Sequence, residues 1–158
     1  MNEREHLPTI LVDADGCPVK QIIETQAKAR KLPVLFFIDS CHVLSPAYGQ
    51  VVQVDKGADS ADFVLVNRCK IGDVVITGDY GVATMALARN CQVLGFSGLV
   101  YTSQNIDQLL FQRHLCKKAR RAGARPGHIK KRTDADDAAF AQSLSQILDQ
   151  ICPKEEKS

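Results

Sequence analysis

TILVDADGCPVK, Thr9 to Lys20, reads as a strand, a turn and the start of a helix. Thr9 to Val12 is short and wholly apolar apart from its threonine, and it ends in an acid at Asp13, as expected of a strand buried on both faces of a parallel sheet. A DGC turn follows. Pro18 suits the first turn of a helix, and Ile22, Ile23, Ala27 and Arg30 then recur at helical spacing until Pro33.

The same strand, turn and helix grammar continues outward. PVLFFID, Pro33 to Asp39, predicts a second buried strand, and the Ser, Pro and Gly-containing stretch from Ser40 to Gln50 a loop. VVQVD gives a third strand ending at Asp55, and KGADSADFVLVNRC a turn entering a helix. GDVVITGD supplies the fourth strand, Gly81 to Asn90 a short Ala-rich helix, and CQVLGF the fifth strand. Strands alternating with helices predict an α/β chain with a mainly parallel open sheet and helices on both faces, because such crossovers are nearly always right-handed.

Beyond a small-residue and aromatic link from Gly98 to Ser103, Asn105 to Ala122 reads as a long helix stopped by Gly123. Arg125 to Arg132 reads as a loop. Thr133 and Asp136 have capping-box spacing, with Asp in place of the usual Glu or Gln. Phe140, Ala141, Leu144, Ile147, Leu148 and Ile151 then form an apolar stripe. A single domain over residues 1–152 with a flexible tail at 153–158 is the expected organisation, since 158 residues at 45% hydrophobic composition can build a core unaided.

Six cysteines are scattered with no CxxC pair, and no signal peptide or long apolar run accompanies them. They read as reduced thiols of a cytoplasmic protein with no membrane partner. The net charge of +2 hides an asymmetry: residues 108–133 hold nine of the twenty Lys and Arg and no acid, whereas residues 1–107 hold nine bases against twelve acids. An acidic body with a basic segment can bring a polyanion to a site made of carboxylates, although a solvated helix face has the same composition.

Three separate strand ends deliver acids: Asp13 and Asp15 after the first, Asp59 and Asp62 beyond the third, and Asp79 after the fourth. In an open parallel sheet, sites form beyond the carboxyl ends of strands where the strand order reverses, so these segments can converge. Clustered carboxylates repel, by on the order of 4 kcal/mol for two charges ~4 Å apart at an effective dielectric near ~20. A divalent cation removes that problem, and an all-oxygen ligand set favours Mg²⁺ or Mn²⁺ over zinc. Such a site supports in-line phosphoryl displacement.

Each acid also has a structural reading. Asp59 can cap its helix, Asp15 can shape the turn before Gly16, and Asp136 can support the helix that follows it. Asp13 and Asp79 are harder to dismiss, because each follows an apolar strand, where an unpaired carboxylate is costly. Thr77 is expected to hold the Asp79 carboxylate or a metal-bound water through its hydroxyl, and Lys20 and Lys56 to reach phosphate, or else to be an ordinary strand-end Thr and surface lysines. Cys17 lacks a partner base and reads as a packed thiol. His42, His114 and His128 show no metal-ligand spacing.

VDADGCPVK, KGADSADFVLV, GDVVITGDYGVA and GLVYTSQNI, in this order, resemble the YaiI/YqxD family of uncharacterised bacterial proteins, over roughly Ile10 to Leu148. That family looks like a branch of the PIN-like nucleases. The resemblance implies a parallel α/β sandwich of PIN-like type and a metal-dependent nuclease ancestry. It places the first-strand acid at Asp13, the acids after the KG turn at Asp59 and Asp62, the fourth-strand acid at Asp79, and a late acid, four before Phe140, at Asp136.

The leading expectation is therefore a Mg²⁺- or Mn²⁺-dependent phosphodiesterase acting on RNA ahead of DNA. Asp13, Asp59 or Asp62, and Asp79 would be metal ligands, with Asp15 and Asp136 completing the shell. Lys117, Arg120, Arg121, Lys130 and Lys131, within the basic segment Arg113 to Arg132, would hold the backbone without reading its sequence. A phosphatase of the haloacid dehalogenase type is the second enzyme reading, with Asp13 as nucleophile, Asp15 as general acid, and Ser40 and Lys56 as the available partners. The third is a non-catalytic module that keeps its acids for metal and binds RNA or a protein through the basic helix. No sequence feature fixes an oligomeric state.

Overall fold

A computed structural model describes residues 7–39, 44–54, 61–123 and 131–152. Among the described residues six strands and five helices follow one another as β1 (Ile10–Asp13), α1 (Lys20–Arg30), β2 (Val34–Asp39), β3 (Gln50–Val54), α2 (Ala61–Arg68), β4 (Val74–Ile76), α3 (Tyr80–Ala88), β5 (Gln92–Leu94), β6 (Val100–Tyr101), α4 (Ser103–Arg121) and α5 (Asp134–Ile151). The strands form one sheet in the order β3-β2-β1-β4-β5-β6, parallel except for β6, which runs antiparallel to β5.

The unbroken apolar runs are explained by helices on both faces. Along β1, Ile10 and Val12 point into a cluster with Ile23 and Ala27 of α1 and Phe140, Leu144, Ile147 and Leu148 of α5. Leu11, between them, joins the opposite cluster with Leu65 of α2, Val82, Ala83 and Ala86 of α3 and Ile106 of α4. The period of two along a strand divides its side chains between two cores.

Local chemistry sets the boundaries. Pro18 lies just before α1 rather than in its first turn, and the helix ends where Lys31 takes a left-handed conformation (φ 57°) and Leu32 N donates to Ala27 O. The stripe of α5 is buried as its spacing predicts, and Arg30 ties α1 to it through Asp149 at 2.8 Å. The Thr133–Asp136 capping box is formed with Asp as the third residue. The link from Gly98 to Ser103 contains a strand the sequence reading passed over: β6 is only two residues long, too short for a hydrophobic period to register.

Strand order reverses between β1 and β4. The chain leaves β1 toward β2 and β3, then returns to pair β4 on β1's other side before moving on to β5. Beyond the carboxyl ends of β1 and β4 lies the crevice that such a reversal opens. Among the described residues no helix is long and apolar enough to cross a membrane.

Candidate functional site

An open cavity of about 830 Å³ occupies that crevice, lined by Asp13, Asp15, Asp62, Gly78, Asp79, Tyr80 and Phe96 on the sheet side and by Leu109, Gln112, Arg113, Cys116 and Arg120 of α4. Four of the six acids singled out from the sequence thus share one space. Asp13 is the last residue of β1, Asp15 sits in the turn before Gly16 (φ 71°), Asp62 is in the first turn of α2, and Asp79 is the N-cap of α3.

Hydrogen bonds fix two of these carboxylates. The Thr77 hydroxyl, fully buried, donates to Asp13 Oδ2 at 2.9 Å and accepts from Asp79 N at 3.0 Å. Thr77 therefore holds Asp13 rather than the Asp79 side chain as expected, because β1 and β4 are neighbours and their ends lie side by side. Asp79 Oδ1 accepts from Gly81 N (2.7 Å) and Val82 N (3.3 Å) and so caps α3. Asp13 Oδ1 and Asp79 Oδ2 are left as the oxygens able to meet a ligand. Asp15 Oδ2 accepts from Asp39 N at 3.4 Å, which ties the turn to the end of β2.

The acids sense one another. Burial is the main cause that pushes the Asp13 carboxyl up to about 6; the Thr77 hydrogen bond opposes it, and the charges of Asp62, Asp79 and Asp15 add to it. Asp62 is also raised, by burial first and then by Asp79 and Asp15. Among the described residues no three His, Cys, Asp or Glu side chains stand close enough together to hold a metal ion unaided. The donor set could suit Mg²⁺ or Mn²⁺ all the same, since Mg²⁺ keeps several waters and takes one or two carboxylates together with substrate phosphate.

The other sequence candidates fall elsewhere. Asp136 completes the α5 capping box, its Oδ2 accepting from Thr133 N at 2.9 Å, and does not line the cavity. Lys20 opens α1 outside the cavity lining, and Lys117, Arg121 and Lys131 are exposed away from it. Among the described basic residues expected to hold substrate, Arg120 and Arg113, the first of the basic segment, line the cavity. Asp59, Lys56 and Lys130 lie outside the described residues, as do Ser40, the other partner a phosphatase would need, and the tail 153–158. Cys17 is buried and its thiol is pushed up to about 11, chiefly by burial, which suits a packed thiol. Cys17, Cys69, Cys91, Cys116 and Cys152 are all free of disulfides.

Phe96, Gln112 and Cys116 were not anticipated. Their only signal is helical phase or proximity to a strand end, which means nothing until the sheet order is known.

Comparison with known proteins supplies the family. Residues 11–150 match the family described as "Uncharacterized BCR, YaiI/YqxD family". Among similar proteins, a UPF0178 protein of Ruminiclostridium cellulolyticum is 51% identical over 135 residues, covering 85% of this chain and 88% of its own. Another, from Lachnoclostridium phytofermentans, is 46% identical over 145 residues, covering 90% and 97%. A third, from Alkaliphilus oremlandii, is 46% identical over 141 residues, covering 89% and 91%. No solved structure matches the chain. By the span of the family match and the level of these identities, the chain belongs to the YaiI/YqxD family.

Proposed function

We propose that the chain is a Mg²⁺- or Mn²⁺-dependent phosphodiesterase that cleaves RNA in the cytoplasm. One observation carries the reading: carboxylates from β1, its turn, α2 and α3 meet in one cavity whose facing wall bears Arg113 and Arg120. A surface of acids alone would repel a polyanion, and a surface of bases alone would bind one without any means of breaking it. The two facing each other suit a negatively charged backbone threaded between cation and guanidinium groups.

Asp13 and Asp79 would hold the cation, with waters and substrate phosphate completing its shell and Asp62 adding negative charge beside it; once bound it would neutralise their mutual repulsion and draw charge from the phosphoryl oxygens. Thr77 fixes the plane of Asp13, and the α3 cap fixes that of Asp79. Asp15, beside them, orients the attacking water. Arg113 and Arg120 grip phosphate oxygens on the far side and position the strand without reading its bases.

The test is incubation of the wild type and an Asp13→Asn, Asp79→Asn double variant with labelled mixed-sequence RNA, with DNA as comparison, in Mn²⁺, in Mg²⁺ and in chelator. Metal-dependent cleavage of RNA that disappears in the double variant is expected. Metal-dependent thermal stabilisation without cleavage would replace the enzyme by a binding module. A phosphorylated Asp13 would replace it by the aspartyl-phosphate chemistry of a phosphatase.

A further inference from the structure

Resting on the nucleic-acid reading above, we propose that the ring of Phe96 is a stacking platform for one unpaired nucleobase of the bound strand. Phe96 follows β5 and lines the cavity together with Gly78, Asp79 and Arg113. A Cβ added at Gly78 would fall 2.8 Å from Phe96 Cε2 and 3.1 Å from Cδ2. Glycine at this position lets the ring lie directly against the backbone that carries Asp79. No bulkier residue would permit that approach.

The residue is anchored as well as admitted. Arg132 Nη2 donates to Phe96 O at 2.6 Å while Arg132 Nε pairs with Asp137 at 2.7 Å, so the segment after β5 is tied to the start of α5. Phe36, Phe37 and Phe140 are fully buried, whereas the Phe96 side chain is half-buried at the cavity wall. Tyr80, the other aromatic in the lining, has its ring in edge contact with Tyr101, the centroids 5.9 Å apart. Phe96 packs partly on the core yet lines the cavity without such a ring contact, so among the described aromatics of the lining it is the one we assign to stacking.

Arg113 and Arg120 are seven residues, two turns, apart on α4, about 10.5 Å along its axis at ~1.5 Å per residue, far enough to meet different phosphates of one strand. A backbone that follows these two guanidinium groups past the acids carries its bases by the Phe96 ring. Base-on-aromatic stacking tolerates any base, because each has a π face. The platform therefore selects for an unpaired base and not for its identity, and a duplex, whose bases are already stacked, is a poorer ligand.

The experiment is binding of short labelled single-stranded RNA in Mg²⁺ by fluorescence anisotropy, with Asp13→Asn as the parent so that the strand stays whole. Phe96→Leu and Phe96→Tyr are added to that parent, and each protein is titrated with an intact strand and with strands carrying one abasic site at successive positions. Phe96→Leu is expected to weaken binding of the intact strand about tenfold and Phe96→Tyr to retain it. One abasic position should produce the same loss in the parent and none further in Phe96→Leu. Equal weakening of every strand, or no effect of the ring, overturns the platform while leaving the nucleic-acid reading intact. No binding of any strand by the parent, and none by the wild type titrated with the same strands on a cleavage-resistant backbone, overturns both. The abasic series on the parent decides the matter even if Phe96→Leu fails to fold.

Discussion

Asp13→Asn should make the protein more stable at neutral pH in chelator, with a melting temperature higher by on the order of 5 °C. The Asp13 carboxyl is pushed up to about 6 in the folded protein, chiefly by burial, against 3.8 for the free side chain. Between these two pH values the folded chain binds the extra proton, so stability falls as pH rises through this window and stays lower above it. At about 1.4 kcal/mol per pKa unit the ionised group disfavours the fold by up to about 3 kcal/mol, and solvent at the cavity mouth reduces that figure. Asparagine removes the charge and still offers an oxygen to the Thr77 hydroxyl. The advantage of the variant should shrink as pH falls from 7 toward 4, and Mg²⁺ should reverse the order by binding the folded wild type. Melting curves across pH, with and without metal, check all three statements; a variant less stable than wild type in chelator at pH 7 would contradict them. A residue kept at a cost to stability is what a functional site is expected to contain.

Gly98→Ala should destabilise the fold by on the order of 2–5 kcal/mol, the second large effect. Gly98 has φ 93°, a conformation that side-chain-bearing residues adopt only with strain, and an added Cβ would lie 2.7 Å from Ala139 O and 2.8 Å from Ala139 C. Those are backbone atoms of α5, which cannot rotate away. The Ser143 hydroxyl donates to Gly98 O at 2.7 Å, so this turn is where the β5–β6 hairpin is fastened to α5. Denaturant unfolding monitored by circular dichroism should show a lower midpoint with an unchanged slope. A loss below ~1 kcal/mol would mean that the hairpin can lift from the helix without consequence.

What the sequence made legible follows from which interactions are local. ILV before Asp13, VLFFI before Asp39 and VVI before Thr77 are strands whose burial needs no knowledge of partners, and the Thr133–Asp136 cap is complete within four residues. Asp13 and Asp79 could be singled out because an acid at the end of a buried strand has few structural uses. The choice between Arg113 and Arg120 on one side and Lys117 and Arg121 on the other could not be made, because it depends on how the helix is rotated about its axis against the sheet. Thr77 was expected to hold the carboxylate of its sequence neighbour Asp79, but accepts only from that residue's backbone N, and the carboxylate it holds is that of Asp13, 64 residues away, brought beside it by the reversal of strand order. Phe96 belongs to the same class: a ring beside a strand end gains meaning only once Gly78 of β4's loop is found beneath it.

Mn²⁺ binding followed by electron paramagnetic resonance reports whether the carboxylates beyond β1 and β4 form one divalent-cation site. The wild type should take up Mn²⁺, and Asp13→Asn and Asp79→Asn should each weaken that binding at least tenfold without loss of the fold. Mn²⁺ bound equally well by wild type and both variants, or not bound by the wild type at all, would contradict it.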